Sequence, residues 1–431
     1  PSKDSLYSYT RFLSSKEMSG RFPGTDEDSI AIKYISGKFK DYGLKTIIGD
    51  SFIQYFSIPL HRIPLSSSEL VINNIKLRFG EDFYIYPSSP NTEFKRGIGV
   101  YSQESINRKD STNYIKILKR GADSIPNIAS KYFHQGFKAV VIVVDDSTYS
   151  SLEKTVTTSF KLTIPVFIIP DSLFADCCSD SIKINFVSKT DILNANTANI
   201  LGVTEGDYDN YIVVGAHYDH LGSNKEFIYY GADDNASGVA SLLELSRIIT
   251  PSKNLGVIYI AFGAEERGLL GSKVAVDALN DMGILSKIKL MINLDMVGRM
   301  RDDKLQIAGV GSFSLSDSLI NTVNNKFNLS ISKIRDGSGA SDHASFYNQN
   351  IPVLFLSTGV HSDYHTTGDT YDKINYHGLK TVTEFTKDII YKASSNHLVF
   401  DFVKSDLPNM GRASFNVTLG ITPDFTYDNG D

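Results

Sequence analysis

Three runs in the second half of the chain, at 211–215, 257–262 and 289–294, are short, apolar and rich in β-branched residues. Strands buried on both faces of an α/β sheet look like this. Polar, glycine-containing segments follow each run at its C-terminal end. The pattern therefore predicts a sheet whose polar segments gather along one edge, where ligands of open α/β sheets collect. Upstream, residues 5–45 carry helical spacing, with Tyr34, Ile35, Phe39 and Leu44 on one apolar face and Gly43 at the stop. A strand follows at 52–58, and 379–391 reads as a helix packed on the sheet. Between them lies a stretch with its own signals, strands at 139–144 and 165–169 and a helix at 127–135.

The expected fold is α/β, a mixed and mostly parallel sheet flanked by helices, with a smaller β-rich domain inserted into it. We place the main domain at 1–63 and 191–405, the insert at 64–190, and a tail at 406–431 whose alternation ends the chain. Insertion at one point is tolerated because domain termini are often close in space.

Composition narrows the function class. The chain has 431 residues, enough for two or three cores, and 41% of them are hydrophobic, an ordinary fraction for a globular protein. A net charge of −6 with no basic stretch argues against nucleic acid as the main partner. No apolar run approaches the roughly 18 residues that a membrane span needs. The two cysteines, Cys177 and Cys178, are adjacent and build no disulfide framework. The chain begins at Pro1 without Met, from which we expect an exported protein, periplasmic, cell-surface or secreted, whose signal peptide is absent from this sequence. Oligomeric state is not legible.

The chemistry lies in the polar blocks. VVGAHYDHLG supplies His217, GADDNASG supplies Asp234, AFGAEERGLLGS supplies Glu265 and Glu266, INLDMVGR supplies Asp295, and YHTTGDT supplies His365. Two imidazoles and three carboxylates suit zinc. A cocatalytic pair about 3.5–4 Å apart needs one carboxylate shared between the ions, so one Asp is a bridge. Three negative charges and a bridging hydroxide balance two dications, which favours deprotonated water as the nucleophile. Of the two adjacent glutamates, one binds metal and its neighbour is left to move protons. Asp219, two residues beyond His217, suits a partner of a metal-bound imidazole. Taken singly, each position is more often a hydrogen-bonded structural residue than a ligand. Their weight comes from arriving together after strands. Asn235-Ala236-Ser237 matches a glycosylation acceptor by chance, no Gly-x-Ser-x-Gly elbow occurs, and Gly309-Val310-Gly311 lacks the third glycine of a dinucleotide loop.

With HYDHLG, GADDNASG, GAEERGLLGS, NLDMVGR and DYHTTGDT the chain resembles the zinc aminopeptidases of the M28 peptidase clan, over residues 10–60 and 197–400. The resemblance implies two Zn2+ per chain, one held by His217 and Asp295, the other by Glu266 and His365, with Asp234 between them and in a cis peptide with Asn235. It implies Glu265 as general base, Asp219 as the residue orienting His217, and Tyr364 as a donor to the oxyanion of the tetrahedral intermediate. The expected reaction is removal of N-terminal residues from peptide substrates. The insert, with IPNIASKYFHQGFKAVVIVVDD and IPVFIIP, resembles a protease-associated domain, a lid or a structural appendage. The tail resembles the start of a PDZ module cut short. Asp342, His343 and His361 shape the pocket or satisfy loop backbone, and the role of His220 is open. Rival readings are a metallocarboxypeptidase using Arg299 or Arg335, a glutaminyl cyclase with one zinc, and a non-catalytic receptor module, which would be expected to lack ligands.

Overall fold

The computed structural model describes residues 1–101, 113–121, 123–152, 156–157, 161–177, 182–223, 226–251, 255–394 and 400–404. The tail expected to begin a PDZ module lies outside the described residues, as does Cys178. The chain divides into two units, residues 1–58 with 196–431 and residues 59–195. It leaves the first along the strand Ile53–Pro64 and returns along Thr190–Val203.

In the first unit the strand order is Ser330–Ile334, Lys304–Ala308, Val353–Ser357, Ile288–Leu294, Asn210–His217, Leu255–Phe262, Thr190–Val203, Ile53–Pro64. The central strands Val353–Ser357, Ile288–Leu294, Asn210–His217 and Leu255–Phe262 run parallel to one another, with His217 level with Phe262 and Leu294 level with Leu356. Their C-terminal ends thus share one edge. Antiparallel neighbours, Thr190–Val203 beside Leu255–Phe262 and Lys304–Ala308 beside Val353–Ser357, make the sheet mixed.

Both faces are covered, which is why the central strands are apolar throughout rather than alternating. Ile212, Val214, Ala216, Val257, Tyr259 and Ala261 point into one core with the helices Lys3–Leu13, Asp26–Asp41, Gly238–Ile248, Ser316–Phe327 and Tyr376–Ala393. Val213, Ile258, Ile260 and Phe262 point into the other, against Leu270–Asp281 and His343–Tyr347. Successive residues of one strand serve opposite cores, the period of two that a pleated strand imposes.

The helical spacing at 5–45 resolves into two helices, capped by Ser2 and by Thr25, whose side chains accept from Ser5 N and Asp28 N. The break between them carries Gly20 at φ +77°, Arg21 at φ +46° and Gly24 at φ +85°. Left-handed backbone cannot continue a helix, so the continuous segment that the hydrophobic spacing suggests is interrupted where Arg21 turns inward.

The second unit has its own sheet, in the order Ile75–Leu77, Glu69–Ile72, Ile182–Ser188, Thr92–Val100, Tyr114–Lys119, Val140–Val144, Val166–Pro170, Tyr84–Ile85. Separate apolar clusters, one around Phe167 and Phe186 and one around Ile142 and Ile168, fill its two faces. The helix Ile125–His134 packs into the second of these. Among the described residues, no helix is long and apolar enough to cross a membrane.

Candidate metal centre

His217 ends its strand, Asp295 directly follows Leu294, and Glu265 and Glu266 lie three and four residues beyond Phe262. Asp234 enters from the turn before the helix Gly238–Ile248, and His365 from the loop after Ser357. Parallel strands deliver the first four residues to one edge. The two loops close over it.

The polar residues of GADDNASG each have a task. Asp369 accepts from the backbone N–H of Asp233 (2.9 Å) and of Asp234 (3.0 Å), setting the turn. Asp233 accepts from Gly298 N at 2.6 Å and Ser237 Oγ at 2.9 Å, and faces His361 Nε2 at 3.2 Å. Asn235 donates to Leu294 O at 2.9 Å and accepts from Gly238 N and Met296 N, tying the turn to the strand that carries Asp295. The Asp234–Asn235 peptide is cis. A Cβ on Gly231, at φ +58°, would strike Asp234 O and the His220 ring, so only glycine fits there.

The carboxylate of Asp234 lies between two groups of donors. Its Oδ1 is 3.4 Å from His217 Nε2, which is also 3.4 Å from Asp295 Oδ1. Its Oδ2 is 3.0 Å from His365 Nε2 and 3.7 Å from His220 Nδ1. Glu266 Oε1 in turn meets His365 Nε2 at 3.3 Å and His220 Nδ1 at 3.0 Å. The sets His217, Asp234, Asp295 and His220, Asp234, Glu266 each bring three ligand atoms within 4.8 Å of one another. Asp234 Oδ2, Asp295 Oδ1 and His365 Nε2 are buried, yet find no well-formed hydrogen bond among the described residues. Buried donors of this chemistry, converging without satisfying one another, fit divalent cations.

Sequence placed the carboxylate of Asp219 next to His217, and the structure refines that. The Nδ1 of His217 is 3.2 Å from the backbone carbonyl of Asp219 and 3.8 Å from its carboxylate. The strand ends at His217, so the rule that alternate residues share a side stops applying there. The carboxylate of Asp219 instead accepts from Glu265 N at 3.0 Å and Glu266 N at 3.3 Å, holding both glutamates in place. Ser341 Oγ donates to Asp295 Oδ2 at 2.8 Å and receives from Asn293 Nδ2 at 2.8 Å.

The electrostatics separate the carboxylates. Burial opposes ionisation of Asp234, but His217, His220 and His365 hold it well below the usual carboxylate range. Burial pushes Glu265 well above that range, and Asp342, Glu266 and Asp295 add like-charge repulsion. Burial also raises Asp219 and Asp342, each to about 7. Glu265 Oε2 stands 4.0 Å from His217 Nε2, outside both donor sets. Tyr364 stacks on His365 at 3.8 Å, and burial, with the surrounding carboxylates, raises its phenol and keeps it protonated.

Two features carry little sequence signal. Arg21 is fully buried and donates to Tyr218 O (2.7 Å), Tyr230 O (2.8 Å), Gly231 O (2.9 Å) and Leu13 O (2.5 Å). One guanidinium thus joins the His217 and Asp234 segments, and only its fork of donors allows that. His220, fully buried, joins the second donor set.

Residues 199–390 match the model of peptidase family M28. That segment is an M28 peptidase domain. The chain is 29% identical over 216 residues to aminopeptidase YwaD of Bacillus subtilis (strain 168), covering 46% of this chain and 45% of that one. It is 29% identical over 227 residues to leucine aminopeptidase 2 of Arthroderma otae, covering 45% and 44%. The matched stretch thus spans under half the length of these two relatives. A solved aminopeptidase from Aneurinibacillus sp. strain AM-1 superposes with a TM-score of 0.59 at 25% identity, covering 94% of this chain and 97% of that one.

The donor sets of the M28 domain open into a cleft of about 340 Å³ lined by His217, Asp234, Glu265, Glu266, Asp295 and Tyr364. A second cavity of about 580 Å³ shares Asp295, Met296 and Tyr364 with it and is walled by Phe355, Ile334 and Val360. His343 lies on that wall, its ring 4.7 Å from Phe355, and burial pushes it down to about 4, so it is neutral. Arg299 and Arg335 line neither cavity. Arg299 is bound to Asp363 at 2.7 Å.

Proposed function

We propose that the chain is a dinuclear zinc aminopeptidase that removes bulky apolar N-terminal residues from peptides. One observation carries the reading. Two groups of donors share Asp234, His217 with Asp295 on one side and His365 with Glu266 on the other, and a carboxylate belonging to neither, Glu265, stands beside them. Histidine nitrogen with carboxylate oxygen is a zinc donor set. In this reading His217 and Asp295 hold one ion, Glu266 and His365 the other, and Asp234 both. Bound there, the ions supply Lewis-acid polarisation of the scissile carbonyl and lower the pKa of water.

The protein groups then have separable tasks. Glu265, its carboxyl raised by burial, takes a proton from the attacking water and returns it to the leaving amine. Tyr364, protonated and at the junction of the two cavities, donates to the oxygen that becomes negative as the carbonyl is attacked. The acidic cleft attracts a free α-ammonium, whereas among the described residues no arginine lines it to meet a substrate carboxylate. That favours an aminopeptidase over a carboxypeptidase. The apolar cavity beside Asp295 receives the N-terminal side chain. For the insert we propose a protease-associated domain.

The test is a panel of aminoacyl p-nitroanilides assayed with and without chelator, together with N-acetyl-leucine p-nitroanilide and metal analysis. Leucine, methionine and phenylalanine substrates should be cleaved fastest, the acetylated one not at all, with two zinc ions per chain. Equal cleavage of the acetylated substrate, or release of C-terminal residues, would overturn the assignment.

A further inference from the structure

His220 raises a question that the five expected ligands leave open. Its backbone N–H donates to Arg21 O at 3.3 Å, its ring lies against Gly231, and its Nδ1 is 3.0 Å from Glu266 Oε1 and 3.7 Å from Asp234 Oδ2. His365 addresses the same two carboxylates with its Nε2, and the two rings meet edge to face at 5.9 Å. Distance alone permits either imidazole as the ligand. Donors at about 2.0–2.1 Å from a tetrahedral zinc lie roughly 3.3–3.4 Å from one another, and both histidines fall near that separation.

The second ring nitrogen decides between them. A metal-bound imidazole carries its proton on the other nitrogen and gives it to a carbonyl, carboxylate or water. His217 meets that condition, with Nδ1 at the carbonyl of Asp219 and Nε2 facing Asp234 and Asp295. His365 is about one-third exposed, so water can reach it. His220 is fully buried, and its Nε2 has no partner among the described residues. Binding a cation through Nδ1 would force a proton onto that nitrogen and bury an orphaned N–H, which folded proteins rarely do. With the proton on Nδ1, Glu266 Oε1 accepts it, and Nε2 is left as an unpaired acceptor, which folded proteins tolerate better than an orphaned N–H.

We infer that His220 is a positioning residue rather than a ligand: its Nδ1–H holds the Glu266 carboxylate in place, and the second cation is left with three protein donors, Asp234, Glu266 and His365. Three donors leave one coordination position open, as a catalytic site requires. The inference rests on the two-cation reading above.

The test uses the full chain, wild type and the variants His220→Asn, His220→Ala and His365→Ala, each stripped and titrated with Co2+ and Zn2+ while the visible Co2+ spectrum is recorded. Asparagine offers an N–H near the position of Nδ1 and is a poor metal ligand. His220→Asn should bind both cations with affinities within a few-fold of wild type and an unchanged spectrum. His220→Ala should bind the second cation about 10–100-fold more weakly, again with an unchanged spectrum. His365→Ala should alter the spectrum. A spectrum changed in His220→Asn as in His365→Ala would make His220 a ligand and overturn the inference, as would wild-type affinity in His220→Ala. A wild-type chain that takes up one cation only would overturn the two-cation reading, and the inference with it. Should the alanine variant fail to fold, the asparagine variant still separates ligand from positioning residue.

Discussion

At the residue scale, the centre depends on giving chemically similar side chains different surroundings. Asp234, Glu265, Glu266 and Asp295 are all carboxylates around one cleft. Three histidines hold Asp234 ionised, while Glu265, buried and facing other carboxylates, binds its proton more tightly. That division suits one bridging ligand and one proton carrier. Glu265→Gln should therefore retain the metal content of the wild type and lower kcat by about 10²–10⁴-fold, checked by steady-state assay beside metal analysis of the same sample. Turnover near wild type in the metal-replete variant would reject the role. Residue types and their glycine-rich settings made this set legible in the sequence. Asp369 and Ser341 were not singled out, because a hydrogen bond to a distant backbone N–H or carboxylate leaves no local pattern.

At the scale of elements, the parallel strands do the gathering. Each ends just before a ligand block, and their register brings His217, Asp295 and the Glu265–Glu266 turn together. Left-handed backbone at Ala264, Met296 and His365 aims the side chains beyond those ends, a conformation that functional loops retain at a cost in stability. The helix Asp26–Asp41 contributes from the side. Its Asp28 is buried and accepts from Tyr218 Oη (2.8 Å), Thr197 Oγ1 (3.1 Å) and Gly24 N (3.0 Å), bracing the residue after His217. Burial pushes Asp28 up to about 6. A carboxyl whose pKa is higher folded than unfolded stabilises the fold most when both states are protonated, below about pH 4, and that contribution is lost as pH rises through 6. The melting temperature of the wild type relative to Asp28→Asn should therefore fall by a few degrees between pH 4 and 7. Calorimetry across that range would show it, and a constant difference would refute it. Short, unbroken apolar runs rich in β-branched residues announced these strands, whereas the helical spacing at 5–45 hid the break at Arg21.

At the scale of the whole molecule, cations that bind only the folded state stabilise it by mass action. At a free concentration 1,000 times the dissociation constant, one site adds about 4 kcal/mol. Stripping the metals should lower the melting temperature by roughly 4–7 °C for one site, with recovery when zinc is restored. An unchanged melting temperature after verified removal would show that the donors are held by the fold alone. Cations would also relieve the repulsion among carboxylates that the apo chain must contain.

The sequence by itself determined the class of fold, the residue types of the candidate site and the order in which its blocks arrive, because apolar runs and glycine-rich polar blocks are local properties of the chain. Tertiary structure alone decided which nitrogen of which histidine faces which carboxylate, that the Asp219 carboxylate holds the two glutamates while its carbonyl faces the His217 imidazole, and that Arg21 reaches segments about 200 residues away in the chain. Those are matters of distance and burial between remote residues. A buried group must find its partner wherever the fold brings one within reach.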